Sequence, residues 1–360
     1  MIYADITGWG RCLPPAVLSN ADIETLMDTS NEWIVSRTGI QERRISHVTN
    51  AELARVASTR ALAAAGISAE QVDMIAFATS TPDECIPNTA SILQNALGAS
   101  NAAAVDINAA CTGFVYSFNM MSDMIRAGSI KTALVVGSER LSSLMNWSLR
   151  ESAILFGDGA GAIVLQASDN EAGFVAGKLG CVPNTRELLA LPDFGLDAIN
   201  QFRPLDVSIV FSGQEIFKKA VKGMGDACEA VVAEAGLGLD DLDLIIPHQA
   251  NARIVEAVVR RIGGDMDKVV LTLDKYANTS TSSIPIALIE ALEQGRVKPG
   301  MNILFTAFGA GLTWGASLLK WGERVTPLGE SDISLPATDK TGLELVNAAI
   351  ARRRAYEQTS

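Results

Sequence analysis

The feature that most constrains the fold of this chain is a faint internal duplication. The segment ALAAAGISAEQVDMIAFATS at 61–80 aligns without a gap with VVAEAGLGLDDLDLIIPHQA at 231–250, at an offset of 170 residues. Each copy predicts a helix that ends in Ala-Gly, a short turn and a buried strand. The repeat unit is much longer than a solenoid repeat, so the pattern indicates two similar halves rather than an array.

Two further matches extend the duplication along the chain. RAGSIKTALVV aligns with EQGRVKPGMNILF and places Gly128 opposite Gly295, and GAIVLQ at 161–166 resembles GASLLK at 315–320. Strands rich in Val, Ile and Ala alternate with longer helical segments throughout, which is typical of an α/β fold. We therefore predict two βαβ-type halves related by a pseudo-two-fold axis.

The duplication also divides the chain. We expect an N-terminal half over residues 1–170 and a C-terminal half over 171–322, with loops above a site at 181–210. Residues 323–360 form a C-terminal extension with a short amphipathic helix around LELVNAAIARRRAYEQ. We expect this extension to pack as an appendage.

Composition excludes several classes of protein. No apolar run approaches the roughly 18 residues of a membrane helix, and the N-terminus has no signal-peptide pattern, so we expect a cytoplasmic protein with no membrane contact. The net charge of −12 disfavours nucleic-acid binding. Five scattered cysteines without a CxxC pair argue against a disulfide framework and against a metal site.

Cys111 lies in the stretch DINAACTGF and is the first candidate for chemistry. Phe114, Phe118, Met121 and Ile125 follow it at helical spacing, so Cys111 is predicted just before a helix begins. Free amide hydrogens and the helix dipole at that end would lower the pKa of a thiol below about 8.5. The alternative is an inert cysteine packed in the core.

The other candidates are a histidine and an asparagine. His248 stands in LIIPHQAN, where a buried strand ends, and the carboxyl ends of such strands carry sites in α/β sheets. Asn278, in KYANTSTSSIPIAL, falls opposite Cys111 at an offset of 167 residues. A core histidine and a turn or N-cap asparagine are the alternatives. The chain's other histidine, His47, is expected at the surface.

Two glycine-rich segments are expected to have different structural roles. FGDGAGAIVL at 156–165 runs from glycines into a strand, whereas a dinucleotide-binding loop runs from a strand into a helix, so we predict a turn. FGAGLTWGA at 308–316 follows the predicted strand NILFTA. Its glycines would allow backbone amides to come close to a substrate.

Six ordered motifs resemble the β-ketoacyl-acyl-carrier-protein synthase III family of the thiolase superfamily. They are NEWIVSRTGIQERR, DINAACTGF, FGDGAGA, PHQANARI, NTSTSSIP and FGAGLTWG, and the resemblance spans about residues 3 to 322. It implies a thiolase fold with five αβαβα layers. It also implies a catalytic triad of Cys111, His248 and Asn278.

The resemblance implies a decarboxylative Claisen condensation without metal or redox cofactor. Cys111 would take an acyl group from acyl-coenzyme A, and malonyl-acyl-carrier protein would then lose carbon dioxide. His248 and Asn278 would donate hydrogen bonds to the enolate-like oxygen, and the amides of Cys111 and Ala310 would hold the oxyanion. Two alternatives stay open: an acyltransferase that uses an O or N acceptor or a second acyl chain, and an inactive binding paralogue.

The resemblance also implies roles in substrate binding. Trp33 and Arg150 would flank the coenzyme A adenine, with Arg37 near its phosphates. Asn251 would support the His248–Asn278 network. Ile86 stands where many members have a phenylalanine that limits acyl length, so it would gate the acyl pocket, and the preferred chain length stays open.

Two basic clusters are expected to bind the acidic acyl carrier protein. One cluster lies on the predicted helix that follows the LIIPHQAN strand, and the other lies on a predicted helix before that strand. The alternative for each cluster is a charged helix face that is exposed to solvent and binds no partner. The resemblance further implies a homodimer. The predicted docking residues are Lys218, Lys219, Lys222, Arg253, Arg260 and Arg261.

Overall fold

The structure, a computed structural model, describes residues 2–191 and 209–359, with side chains through Ala355. Residues 192–208, part of the predicted loop region 181–210, lie outside the described residues. The strands are β1 (Tyr3–Cys12), β2 (Ala16–Ser19), β3 (Glu42–Ile45), β4 (Met74–Ala78), β5 (Ala103–Ile107), β6 (Thr132–Arg140), β7 (Asp158–Ser168), β8 (Gly173–Cys181), β9 (Leu189–Ala190), β10 (Val210–Phe211), β11 (Leu244–Pro247), β12 (Asn302–Gly309) and β13 (Thr313–Lys320).

Helices alternate with these strands. They are α1 (Asn20–Glu24), α2 (Asn31–Thr38), α3 (Asn50–Ala65), α4 (Thr89–Leu97), α5 (Gly113–Arg126), α6 (Arg150–Ala153), α7 (Gly213–Glu234), α8 (Ala252–Arg261), α9 (Leu273–Tyr276), α10 (Ser283–Glu293) and α11 (Gly342–Thr359). Among the described residues, no helix has both the length and the apolar character that a bilayer span needs.

Two sheets share one topology. The first has the order β1-β7-β6-β4-β5, with β4 parallel to β5 and β6, and β7 antiparallel to its neighbours. The second has the order β8-β13-β12-β11 with the corresponding orientations. A parallel bridge from Ile245 to Val269 takes the place of β5. The strand order of the second sheet therefore repeats that of the first.

The predicted Ala-Gly helix ends are confirmed in both copies. α3 ends at Ala65 and is followed by Gly66, with φ of 69°, and the chain beyond α7 reaches Gly236, with φ of 70°. Both glycines have the left-handed backbone that lets the chain leave a helix and enter the next strand. The matched pair Gly128 and Gly295 shows the same backbone, at 76° and 67°.

Five layers follow from where the apolar side chains pack. α5 and α10 lie between the two sheets and fill a central core that includes Phe114, Phe118 and Phe305. α3 and α4 cover the outer face of the first sheet, and α7 and α8 cover that of the second. This order confirms the predicted α/β thiolase fold, αβαβα. The domain boundaries at residues 170 and 322 stay a prediction.

A small lobe packs beside the layers and includes part of the extension. β2 pairs with β3, and these strands share an apolar cluster with residues of α1 and α2 and of the segment 141–156. Val346 of α11 lies in the same cluster and is 1% exposed. The predicted amphipathic helix is therefore formed, and its apolar face is packed onto this lobe.

Candidate active site

A cavity of about 910 Å³ brings the three predicted triad residues together. Cys111, His248 and Asn278 all contribute to its wall. Much of the remaining wall is apolar, including Phe156, Phe217, Met224, Ile254 and Phe308. An apolar cavity with a few converging polar groups is typical of a site for a small-molecule or acyl substrate.

Cys111 and Asn278 share one feature of the backbone that precedes them. The residue before each one has a positive φ, 48° at Ala110 and 57° at Ala277, although neither is glycine. Such a backbone costs of order 1–3 kcal/mol and persists where the surrounding structure holds it. α5 begins two residues after Cys111, at Gly113, as predicted. The duplication thus places both side chains at equivalent turns.

The predicted pKa of Cys111 is wrong. Burial and, to a smaller extent, the charge of the nearby Glu139 raise the pKa of the Cys111 thiol to about 11. A hydrogen bond with Ser280 acts in the opposite direction but does not offset burial. The sequence showed the helix end that favours a thiolate but not the cavity walls that surround the half-buried Cys111. At neutral pH the resting group is a thiol.

Glu139 is a buried carboxyl near Cys111 that sequence reasoning missed. It is the second-to-last residue of the apolar strand β6 and is fully buried, which raises its pKa. It accepts hydrogen bonds from the Thr81 hydroxyl at 2.6 Å, the Ser80 amide at 3.1 Å, and the hydroxyls of Thr79 and Thr281 at 3.2 Å. These contacts connect the loop after β4 to the Asn278 loop. An acidic residue at the end of an apolar strand was the available signal.

His248 is neutral and oriented by its second ring nitrogen. It follows β11, is 2% exposed, and burial lowers its pKa to about 3. Its Nδ1 lies 2.7 Å from Ser283 Oγ, and the Ser283 hydroxyl donates to the Ser280 carbonyl at 2.8 Å. In that arrangement Nδ1–H donates to Ser283, so Nε2 carries a lone pair. The ring can therefore accept a proton at Nε2.

Asn278 is held with its amide group oriented. Its Oδ1 accepts from the Ser280 amide at 2.8 Å, so the turn alternative is also correct. Its backbone amide donates to the Leu155 carbonyl and its carbonyl accepts from the Gly157 amide. Because Oδ1 is engaged, the Nδ2 hydrogens are the groups that Asn278 can offer to a ligand in the cavity.

The loop after β12 lies directly against the Cys111 loop. A Cβ atom on Gly309 would lie 2.7 Å from the Cys111 nitrogen and 3.2 Å from the Thr112 nitrogen. Thr112 Oγ1 and Thr313 Oγ1 are 2.7 Å apart and join the two loops. Only glycine permits this approach, which brings the segment that carries the Ala310 amide beside the Cys111 amide.

Trp33, Arg37 and Arg150, for which the resemblance implies coenzyme A binding, lie close together. The Arg150 guanidinium lies over the Trp33 ring at 4.5 Å from its centroid, and that of Arg37 at 5.8 Å. Arg150 also donates to the Asp28 carbonyl at 3.1 Å. Arg37 lines the cavity. We call Trp33 and Arg150 the adenine clamp, after their predicted ligand.

Asn251 and Ile86 have surroundings that the sequence did not show. Asn251 donates from Nδ2 to the Arg37 carbonyl at 3.0 Å and accepts from the Arg253 amide as the N-cap of α8. These hydrogen bonds hold the rim and the start of α8, and Asn251 lines the cavity together with His248 and Asn278. Its support of the His248–Asn278 network stays a prediction. Ile86 is 89% exposed and does not line the cavity. Within its own chain it gates no acyl pocket.

Comparisons with known proteins decide the family. The model described as 3-oxoacyl-[acyl-carrier-protein (ACP)] synthase III matches residues 105–182, and its C-terminal model matches 232–321. "Beta-ketoacyl-[acyl-carrier-protein] synthase III 2" of Vibrio cholerae is 49% identical over 99% of this chain and 98% of its own length. The chain belongs to the β-ketoacyl-acyl-carrier-protein synthase III family.

Other synthase III proteins match a shorter part of the chain. The protein from Roseiflexus sp. strain RS-1 is 44% identical over 89% of this chain and 98% of its own. The crystal structure of 3-oxoacyl-[acyl-carrier-protein] synthase III from Aquifex aeolicus superposes with a TM-score of 0.84 at 41% identity. It covers 88% of this chain and 100% of the solved one.

Three of the predicted docking residues of this synthase III chain carry carboxylate partners. Lys218 pairs with Glu215 at 3.0 Å. Lys222 and Arg261 both pair with Asp226. Opposite charges at this distance leave little net field for a distant anion.

The other three docking residues have no carboxylate partner among the described residues. Arg253 and Arg260 are exposed on α8, and Lys219 is half-buried on α7. Among residues 2–191 and 209–355, none of the three forms an ion pair. Arg253 also lines the cavity, so a positive charge without an ion-pair partner among the described residues lies at its rim.

Proposed function

We propose that this chain condenses an acyl primer from acyl-coenzyme A with malonyl-acyl-carrier protein, with release of carbon dioxide, in fatty acid biosynthesis. The observation that carries the proposal is the convergence of Cys111, His248 and Asn278 on one apolar cavity. The relatives named as β-ketoacyl-acyl-carrier-protein synthase III support it. The product is a β-ketoacyl-acyl-carrier protein.

Acylation begins with the Cys111 thiol and the His248 imidazole both uncharged. The thiol gives its proton to Nε2 of His248 as sulfur attacks the thioester carbonyl of acyl-coenzyme A. The amides of Cys111 and Ala310 hold the oxygen of the tetrahedral intermediate. The bond to the coenzyme A sulfur then breaks, and coenzyme A leaves with the proton from His248. The acyl group stays on Cys111.

Condensation needs His248 as a donor instead of an acceptor. The Ser283 hydroxyl suits either role, because it can donate to the Ser280 carbonyl or rotate to donate to Nδ1. In the second rotamer the ring proton resides on Nε2, after exchange with cavity water. A neutral ring with Nε2–H is then available at pH 7, since burial lowers the His248 pKa to about 3.

The carbon–carbon bond forms at the acyl-cysteine. Nε2–H of His248 and Nδ2–H of Asn278 donate to the malonyl thioester oxygen, which stabilises the enolate as the carbon–carboxylate bond breaks. The carbanion attacks the acyl carbonyl, and the bond to the Cys111 sulfur breaks. The thiolate recovers its proton from water. These steps use side chains and backbone amides alone.

The face formed by α7 and α8 is the proposed docking surface for acyl carrier protein. Its positive charge comes first from three residues that form no ion pair in the part of the chain that the structure describes, Arg253, Arg260 and Lys219. An acidic partner can also take over three further groups from their present carboxylates, those of Lys218, Lys222 and Arg261. This surface offsets the chain's net charge of −12 only locally. We place the enzyme in the cytoplasm, where coenzyme A and the carrier would meet it.

A homodimer is part of the proposal. β5 is the edge strand of the first sheet and is mostly half-exposed in the single chain. An unpaired edge strand of this kind is a surface on which a second copy can continue the sheet.

The proposal is tested with purified protein, malonyl-acyl-carrier protein labelled at its carboxyl carbon, and acyl-coenzyme A primers from acetyl to dodecanoyl. We expect one labelled carbon dioxide for each β-ketoacyl-acyl-carrier protein, and neither with Cys111→Ser. An acyl-Cys111 adduct without carbon dioxide release for any primer would contradict condensation and indicate transfer to another acceptor. No adduct with any primer would indicate a binding protein.

A further inference from the structure

The segment 323–359, called the extension below, lies outside the shared core of the family. The C-terminal family model ends at residue 321. The Roseiflexus relative matches 89% of this chain at 98% of its own length, whereas the Vibrio cholerae relative matches 99%. The chemistry shared by these relatives therefore does not depend on the extension, and any role it has is an added one.

The extension is fixed along α3 by bonds to backbone carbonyls. At one end of α3, Arg324 donates to the Thr7 and Ala65 carbonyls, and the Leu328 amide donates to the Ala64 carbonyl at 3.0 Å. Farther along, Arg60 donates to the Ile333 carbonyl at 2.9 Å. At the other end His47 Nε2 lies 2.8 Å from the Pro336 carbonyl oxygen, at a half-buried position near the protein surface.

The last part of the extension, α11, is seated closely on the small lobe. A Cβ atom on Gly342 would lie 2.4 Å from the Val17 carbonyl oxygen of β2, so the helix begins in direct backbone contact with that strand. Four residues later Val346 is 1% exposed and belongs to the apolar cluster of the lobe. Leu343 and Ile350 pack against the same cluster. The helix is therefore an integral part of the lobe.

The cluster that receives Val346 also carries the adenine clamp. Ile34, the neighbour of Trp33 on α2, is buried in it, and Trp33 itself packs against it. Trp147 and Ala153, on either side of Arg150, are buried there too. Both halves of the clamp thus rest on the apolar surface that α11 completes. Of the extension's residues whose side chains are described, 323–355, none lines the catalytic cavity.

We propose that the extension is a brace that positions the adenine clamp and thereby sets the affinity for the nucleotide half of coenzyme A. The inference rests on the proposed use of acyl-coenzyme A as the primer donor. Val346 acts through the packing of α2 and α6, so it is a positioning residue and not a catalytic one. Donors that lack the adenine nucleotide, such as an acyl-pantetheine, do not use the clamp. Malonyl-acyl-carrier protein does not use it either.

This difference between donors defines the test. Val346→Ala removes two buried methyl groups from the cluster, and Gly342→Ala forces α11 away from β2 without touching the cluster. Asn347→Ala, at the exposed neighbour of Val346, is the matched control. For each variant kcat/KM is measured with acyl-coenzyme A and with the matching acyl-pantetheine, together with KM for malonyl-acyl-carrier protein. Calorimetry gives Kd for coenzyme A.

For Val346→Ala we expect kcat/KM with acyl-coenzyme A to fall about three- to tenfold and Kd for coenzyme A to rise by a similar factor. The values for acyl-pantetheine and malonyl-acyl-carrier protein should stay at wild-type level, with the same pattern in Gly342→Ala and no change in Asn347→Ala. An equal loss with both donors, or no loss with either, would overturn the brace. A wild-type protein inactive with both donors would instead refute the proposed function, and the calorimetry would still decide the brace.

Discussion

Gly309→Ala should impair acylation of Cys111 by disturbing the oxyanion site. Gly309 has φ of −152° and ψ of −177°, an extended backbone that alanine adopts without strain. The new Cβ atom would nevertheless lie 2.7 Å from the Cys111 nitrogen and 3.2 Å from the Thr112 nitrogen. Because both neighbours are backbone atoms, the two loops must separate, and the amides of Cys111 and Ala310 move apart.

The size of the effect follows from the donor that is displaced. Loss of one oxyanion donor costs about 2.7–4 kcal/mol, so we expect acylation to slow by about 10²-fold or more. The rate is measured as acyl-enzyme formation by quenched-flow mass spectrometry at saturating acyl-coenzyme A, whose Kd should not change. Gly238→Ala is the matched control, because its Cβ meets only an Asp241 carboxylate oxygen at 3.5 Å. An acylation rate within about threefold of wild type would refute the oxyanion assignment.

The other predictions concern the uncharged Cys111–His248 pair and the docking surface. The rate at which iodoacetamide alkylates Cys111 should keep rising from neutral to alkaline pH, because burial raises the pKa of the thiol to about 11. The rate is followed by mass spectrometry of the Cys111 peptide, and a rate that is already constant near neutral pH would indicate a resting thiolate. His248→Ala should slow acylation at neutral pH and recover at alkaline pH as the thiolate fraction rises, while carbon dioxide release stays low throughout. Recovery of both steps would contradict the donor role. Charge reversal at Arg260 should raise KM for malonyl-acyl-carrier protein more than charge reversal at Lys222, whose charge is paired with Asp226. A larger rise in KM for the Lys222 variant would argue that the ion pairs of the single chain do not decide docking.

The duplication was predictable because its signals are local. Helical spacing, the glycines at 66 and 236 and the apolar strands that follow depend on a few neighbouring residues. The alignment of the copies then placed Asn278 opposite Cys111, which the matching positive φ values at Ala110 and Ala277 reproduce. His248 has no such partner, and its place in the triad came from the family resemblance.

The properties that the sequence did not predict depend on packing between distant segments. The pKa of Cys111 reflects its burial and the charge of Glu139, which lies on another strand. The hydrogen bonds of Asn251 follow from the position of α2, and the amphipathic pattern of α11 indicated an apolar face without indicating its partner. Residue type and spacing cannot specify such contacts, because each joins parts of the chain that only the complete fold brings together.

The central claim is that Cys111 carries the acyl group between the two half-reactions. Rapid-quench mass spectrometry tests it most directly: enzyme is loaded with acyl-coenzyme A, freed of excess primer, and mixed with malonyl-acyl-carrier protein. We predict an adduct of one acyl group on the Cys111 peptide that disappears at the rate at which β-ketoacyl product appears, in equal amount. Product formation while the adduct persists unchanged would contradict the account.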